Sequence, residues 1–334
     1  MSTVLELQPS QTRQYIDAES VFLEFRRARA EALELRGSMF WKREAGIEYL
    51  IRESSAGGQK SLGPRTKETE AIHAKFTARK EAATTRLSAL KVAAVDQQRL
   101  NKALRVGRVP NIVVKVLNAL EAAGLEQHFI TIGTHALYAY ESACGVRVMP
   151  DLLATQDIDL LFDSRKRIAF AHQLKRVDSS FLGALQKADP TFRTRSDQKQ
   201  TAINAAGFEV DVIRRVAIDG DPHPFRMSED EDDLWAVQVE GAPRMLDAPR
   251  FSQVVVAETG HMAVMNTMDP RAFVTIKRLI SASPTRDPRK RLKDSLQAEL
   301  VDHLIKTRMP QYLPPAQTTD DAGIEEDDGR NRPR

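Results

Sequence analysis

At 334 residues, with 42% hydrophobic but only 6% aromatic side chains, the chain has room for two or three compact units of a helix-rich soluble protein. Its one cysteine, Cys144, excludes an internal disulfide and a cysteine-built zinc site and fits a reducing cytoplasm, and no run of about 18 apolar residues or secretory leader points to a membrane. The net charge of +3 hides an imbalance, because residues 1–110 hold 20 Lys and Arg against 13 Asp and Glu while the segment after Pro314 carries an acidic block.

In chain order, "YIDAESVFLEFRRARAEALELRGSMFWKREAGIEYLIR" places Val21, Phe25, Ala28, Ala32 and Leu35 at helical spacing, which predicts one or two amphipathic helices over residues 15–52. The glycine-bearing "ESSAGGQKSLGPRTKETE" predicts a loop, and "AIHAKFTARKEAATTRLSALKVAAVDQQRLNKAL" a second long helix. Lys60, Arg65 and Lys67 in that loop suit a grip on phosphate or RNA and suit a flexible linker equally well. The Val109-Pro110 step ends this basic, helical unit, and "NIVVKVLNALEAAG" starts a new helix closed by Gly124.

The character then changes. Phe129 to Ile132 read as a short strand, Gly133-Thr134 as a tight turn with Thr134 as N-cap, and His135 to Cys144 as a helix ended by Gly145, with Cys144 a buried apolar residue. An extended loop, "GVRVMPDLLAT", leads into "ATQDIDLLFD". A strand alternates its faces, so Asp157 and Asp159 share one side while Ile158, Leu160 and Phe162 take the other. Two like charges side by side are solvated, singly protonated or bound to a cation. Helix "RKRIAFAHQLKRV" follows, then the strand "GFEVDVIRRV" bearing Asp211, a solvated acidic loop "SEDEDD", irregular short strands over 234–265, and two basic helices, "PRAFVTIKRLISASP" and "PRKRLKDSLQAELVDHLIKTRM".

A glycine turn at a helix start makes an anion seat, and three carboxylates from neighbouring strands can hold one or two Mg²⁺ ions. Phosphate seat beside metal cage implies phosphoryl or nucleotidyl transfer. His135 is a weaker candidate for a phosphate contact, and by alternation one of Arg214 and Arg215 faces the substrate and the other away.

With Gly133-Thr134, Asp157-Ile158-Asp159 and Asp211 in that order, the sequence resembles nucleotidyltransferases of the DNA polymerase β type. The wording "GTHALYAYESACGV", "TQDIDLLFD", "FEVDVIRR" and "DPRAFVTIKRL" is similar to a bacterial subgroup of uncharacterised and toxin–antitoxin-associated nucleotidyltransferases, from "KSLGPRTKETEAI" to about Met309, most of the chain. The spacing of 24 residues from Gly133 to Asp157 is longer than that family's usual gap, and the extended loop is expected to absorb the excess.

The resemblance implies an α+β fold, a small mixed β-sheet flanked by helical N-terminal and C-terminal regions. The expected division is a basic helical module over 1–112, a nucleotidyltransferase core over 113–226, a mixed or helical cap over 227–312 and a disordered acidic tail over 313–334. It implies catalysis and metal binding by Asp157, Asp159 and Asp211, with Mg²⁺ or Mn²⁺ as cofactor. Nucleotide binding falls to Gly133, Thr134, Lys277, Lys293 and Asp294. The reaction implied is transfer of a nucleoside monophosphate from an NTP to a hydroxyl on RNA (a tRNA 3′ end) or on a protein side chain. The rival reading from another class is a catalytically silent protein of this fold acting as a nucleic-acid-binding or antitoxin-like partner.

Overall fold

A computed structural model describes residues 4–218 and 220–313. The acidic segment expected to be disordered lies, beyond Leu313, outside the described residues. The architecture is mixed α and β, a central mixed sheet with flanking helices.

The sheet is laid out so that the carboxylates meet. Phe129–Ile132 runs antiparallel to Asp157–Phe162, which runs parallel to Glu209–Arg214; Thr201–Ile203 and then Arg193–Thr194 continue it, and Val237–Gln238 pairs with the end of Glu209–Arg214. Ile158, Leu160, Leu161 and Phe162 are fully buried, as are Val210 and Val212, so a core on both sides fixes the register of the two parallel strands. In that register Asp159 stands beside Asp211, and Asp157 beside Glu209. The helices Asn111–Ala122, Ala136–Cys144, Pro270–Ala282 and Pro288–Arg308 enclose this core, and the Tyr140 hydroxyl donates to the Met268 carbonyl at 2.8 Å. The last helix packs along the one before it, which brings two basic segments to the carboxylate side of the sheet.

The N-terminal region departs from its expectation. Pro9–Glu34 and Lys67–Ala103 are the two long helices, but residues 38–64, read as helix and loop, form a three-stranded antiparallel sheet, Ser38–Glu44, Ile47–Glu53 and Gln59–Pro64. The reason is local. Ala45 and Gly46 both take positive φ, 48° and 84°, and a two-residue turn of that kind has the twist of a tight hairpin, so Glu44 pairs with Ile47 and the aromatic-rich flanks zip together. The long helix joins the body near its far end, where Asn101 donates to the Gly260 carbonyl and Gln98 meets His261, and Tyr15 of the first helix donates to the Val254 carbonyl at 2.7 Å.

Two smaller corrections follow the chain. The segment between Gly145 and Asp157 is not a plain loop: Val146–Val148 pairs with Val4–Glu6, and Pro150–Leu153 is a short helix. The acidic run is not wholly solvated either, because Asp233 is buried and accepts from the free N–H groups of Phe181 and Leu182 in the first turn of the helix Phe181–Gln186, which Ser180 caps. Residues 234–265 hold the helix Ala242–Asp247 and a regular hairpin, Arg250–Val256 with Met262–Met268, rather than irregular strands alone.

Candidate active site

Asp157, Asp159 and Asp211 each offer a carboxylate oxygen, and these oxygens all lie within 4.8 Å of one another. Each is held by a different neighbour. The Thr155 hydroxyl donates to Asp157, and the Thr201 hydroxyl to Asp211. Asp159 is held by the glycine turn. Ile132 pairs with Asp159 across the antiparallel ladder, so Gly133 comes to rest against the carboxylate; a Cβ there would sit 2.2 Å from Asp159 Oδ2, and its φ of +68° disfavours side chains independently. The long insertion between Gly133 and Asp157 therefore leaves the turn and the acid in contact.

Crowding shows in the ionisation. Burial, with Asp157 and Asp211 adding their charges, pushes Asp159 up to about 7 from an ordinary 3.8. Asp211 is raised as well, by burial first, with the Thr201 hydroxyl pulling it back. A fourth acid shares this face: Glu209, next to Asp157 in the register, is neutralised by Arg195 at 2.6 Å, leaving three carboxylates facing one another. Three hard oxygen donors whose ionised forms repel one another suit a divalent cation such as Mg²⁺.

Cations stand one step behind. Lys277 is buried rather than solvent-facing, and its Nζ lies 2.6 Å from Asp294 Oδ1; Arg286 reaches the other oxygen of Asp294 at 3.0 Å. Both draw the Asp159 pKa partly back down. Lys293 Nζ donates to the Ala154 carbonyl at 2.6 Å, and burial and the nearby Lys277 lower its pKa. Asp294 thus holds two cations in place beside the carboxylates.

Other candidates are placed differently from expectation. Thr134 does not cap its helix. The chain makes a 3₁₀ turn over Gly133–His135 before Ala136–Cys144, and the Thr134 hydroxyl accepts from Gln297 Nε2, which also donates to the Leu152 carbonyl at 2.7 Å. His135 is buried against Tyr138 and Phe208, and burial drives it down to about 4, so it stands as a neutral ring in the wall. Neither arginine after Asp211 turns to the carboxylates: Arg214 donates to the Pro222 carbonyl, and Arg215 pairs with Asp221 at 2.7 Å. Cys144 is partly exposed at its helix end, and burial pushes its thiol up to about 12.

Residues 111–319 match a family model described as a nucleotidyltransferase. The chain belongs to this nucleotidyltransferase family. The match starts at the first residue of the helix Asn111–Ala122, so the two long helices and their sheet lie outside it. No curated protein and no solved structure matches the chain. The carboxylate cluster is a group that could hold a divalent metal, as nucleotidyltransferases require. Arg195, Thr201, Arg286 and Gln297 are supporting residues that sequence reasoning passed over. Only the even spacing of Glu209 and Asp211 on one strand, which puts a fourth acid on the face, hints that a cation such as Arg195 is needed.

Proposed function

We propose that the protein transfers a nucleoside monophosphate from an NTP to a hydroxyl acceptor, releasing pyrophosphate, in the manner of the polymerase β type it resembles. The observation that carries this reading is the cluster of Asp157, Asp159 and Asp211 within 4.8 Å, packed against the Gly133 turn. Asp157 and Asp159 would hold the cation that accompanies the triphosphate, and Asp211 would serve the acceptor side. Bound Mg²⁺, or Mn²⁺ in its place, supplies charge neutralisation on the phosphates and lowers the pKa of the attacking hydroxyl.

The chain's own residues supply position. Thr155 and Thr201 fix the rotamers of two carboxylates, and Gly133 and Thr134 present the start of the turn to the phosphates. Gln297 anchors Thr134 from the last helix. Asp294 holds Lys277 and Arg286 beside the carboxylates, and Lys293 stands at Ala154, so the β- and γ-phosphates have counter-charge within reach. An RNA 3′ end or a protein hydroxyl is the acceptor class in this reading, with a cytoplasmic toxin–antitoxin or defence role.

The test is to incubate the protein with each labelled NTP, Mg²⁺, total RNA and cell lysate and to ask which fraction carries label. Label should reach a macromolecule, and Asp157→Asn, Asp159→Asn and Asp211→Asn should each reduce it to background. Near-normal turnover by Asp211→Asn sinks the three-carboxylate site.

A further inference from the structure

The N-terminal sheet stands at the outer end of the long helix. Lys67 opens that helix, Arg86 farther along it pairs with Glu24 of the first helix, whose Arg26 meets Glu121 and Glu126 of the body, and Gln98 meets His261, so the sheet lies beyond both joints. Residues 36–80 carry ten Lys and Arg against five Glu. The glutamates are occupied: Glu44 pairs with Lys42, Glu48 and Glu70 with Arg65, Glu53 accepts from Ser38 and Gln59, and the Glu68 pKa is lowered by a hydrogen bond with the Thr66 side chain.

What remains is a patch of cations around Phe76. Arg52 lies over the Phe76 ring at 4.4 Å and spends its hydrogen bonds on the carbonyls of Arg36, Ser38 and Glu53. Lys60 faces Arg52 across the ladder. Lys75 and Arg79 flank Phe76 on its helix, one turn apart, and Arg36 sits where its carbonyl holds Arg52. Among the described residues none of Arg36, Arg52, Lys60, Lys75 and Arg79 has an acidic partner, and all but Arg52 are exposed. Like charges gathered with their neutralising acids engaged elsewhere form an electrostatic footprint for a polyanion.

We infer that this tip binds a nucleic-acid strand through its phosphates. The cations are spread over both the sheet and the helix, which suits the row of phosphates along a strand rather than the single phosphate chain of a mononucleotide. Binding at the tip stands independently of the chemistry; its use, holding the acceptor while its end reaches the carboxylates, rests on the proposed nucleotidyl transfer.

The experiment measures anisotropy of a fluorescein-labelled 30-nucleotide RNA with the full chain, without NTP or divalent cation, across a salt series. A DNA of the same sequence identifies which kind of strand is preferred, and polyglutamate serves as competitor. The variant K60E/K75E/R79E should weaken binding tenfold or more and flatten the log–log salt slope by about two, as expected for three lost phosphate contacts on a single strand. K91E/R99E/K102E, the same charge change elsewhere on that helix, should weaken it less than threefold. Circular dichroism melting confirms that both variants fold. Wild-type affinity in K60E/K75E/R79E, an equal loss in both variants, or displacement of RNA by polyglutamate at matched charge would overturn the inference. Absence of NTP labelling by the wild-type chain, with RNA binding intact, refutes the proposed reaction and leaves the tip's binding standing.

Discussion

The carboxylate face and the hairpin tip both crowd like charges, in opposite senses and at different cost. At the carboxylates the crowding is enclosed: Asp159 is pushed to about 7, a glycine is required to make room, and cations are kept one residue away through Asp294. At the tip the cations are mostly solvated, and the acids that would neutralise them are engaged elsewhere. Solvated charges interact weakly, so the tip can gather them almost freely, while the enclosed face holds them only with dedicated support. Damage to the support of the face should therefore be severe, and damage to the tip should be confined to binding.

Gly133→Ala breaks the face most directly. Its Cβ would meet Asp159 Oδ2 at 2.2 Å in a backbone conformation that resists side chains, so turnover should fall about a hundredfold or more and stability by about 1–3 kcal/mol. Steady-state kinetics and urea unfolding check both. An alanine variant with normal turnover would mean that the contact between turn and carboxylate is dispensable.

Lys277→Ala leaves Asp294 with Arg286 alone. The expected loss in kcat/KM for NTP is about tenfold, with metal binding to the NTP-free protein unchanged by calorimetry. Unchanged kinetics would confine Lys277 to a structural ion pair and leave Lys293 and Arg286 as the counter-charge.

The smallest effect separates the two regions by pH. In the metal-free protein the raised pKa of Asp159 stabilises the fold fully below its ordinary value of 3.8, and this is lost as pH rises through about 7. His135 runs the other way: with its pKa lowered from 6.5 to about 4, it removes stability as pH falls through that window. The two nearly offset each other between pH 4 and 6.5, so the difference between variants is the clear readout. Asp159→Asn should match wild type near pH 4 and melt higher above pH 7, by about 2–4 °C for each kcal/mol of relieved repulsion. K60E/K75E/R79E should show no such pH-dependent gain. A flat difference curve for Asp159→Asn would mean the carboxylates are not electrostatically coupled.

The strand Asp157–Phe162 was legible because two periodicities agree there, apolar alternation and a doubled acid on the same face. Asp211 followed from the same alternation one strand later. The tip sheet was not legible, because Phe25, Ala28, Ala32 and Leu35 run on at helical spacing into "MFW", and the turn that reverses the chain is Ala-Gly, a weaker signal than Asn-Gly. The Thr134 cap failed for a different reason. A side-chain hydroxyl beside a helix start suits a cap by local rules, but here Gln297, 163 residues away, claims it. Asp233 was hidden inside a run of acids whose composition signals solvent, and only tertiary packing singles it out as the acceptor for the first-turn N–H groups of Phe181–Gln186.

The pairing of Val4–Glu6 with Val146–Val148, and the bond from Tyr15 to Val254 across 239 residues, set the order of events during synthesis. The long helices and their small sheet hold only neighbouring contacts and can form as soon as they leave the ribosome. Their seat on the body cannot, since both surfaces that receive it are translated later. At about 5–20 residues per second the first helix waits on the order of ten seconds or more for the hairpin that docks it. During that wait the apolar side of Tyr15, Ala18 and Phe22 is uncovered, which marks the base of the stalk as the place where chaperone assistance would matter during translation.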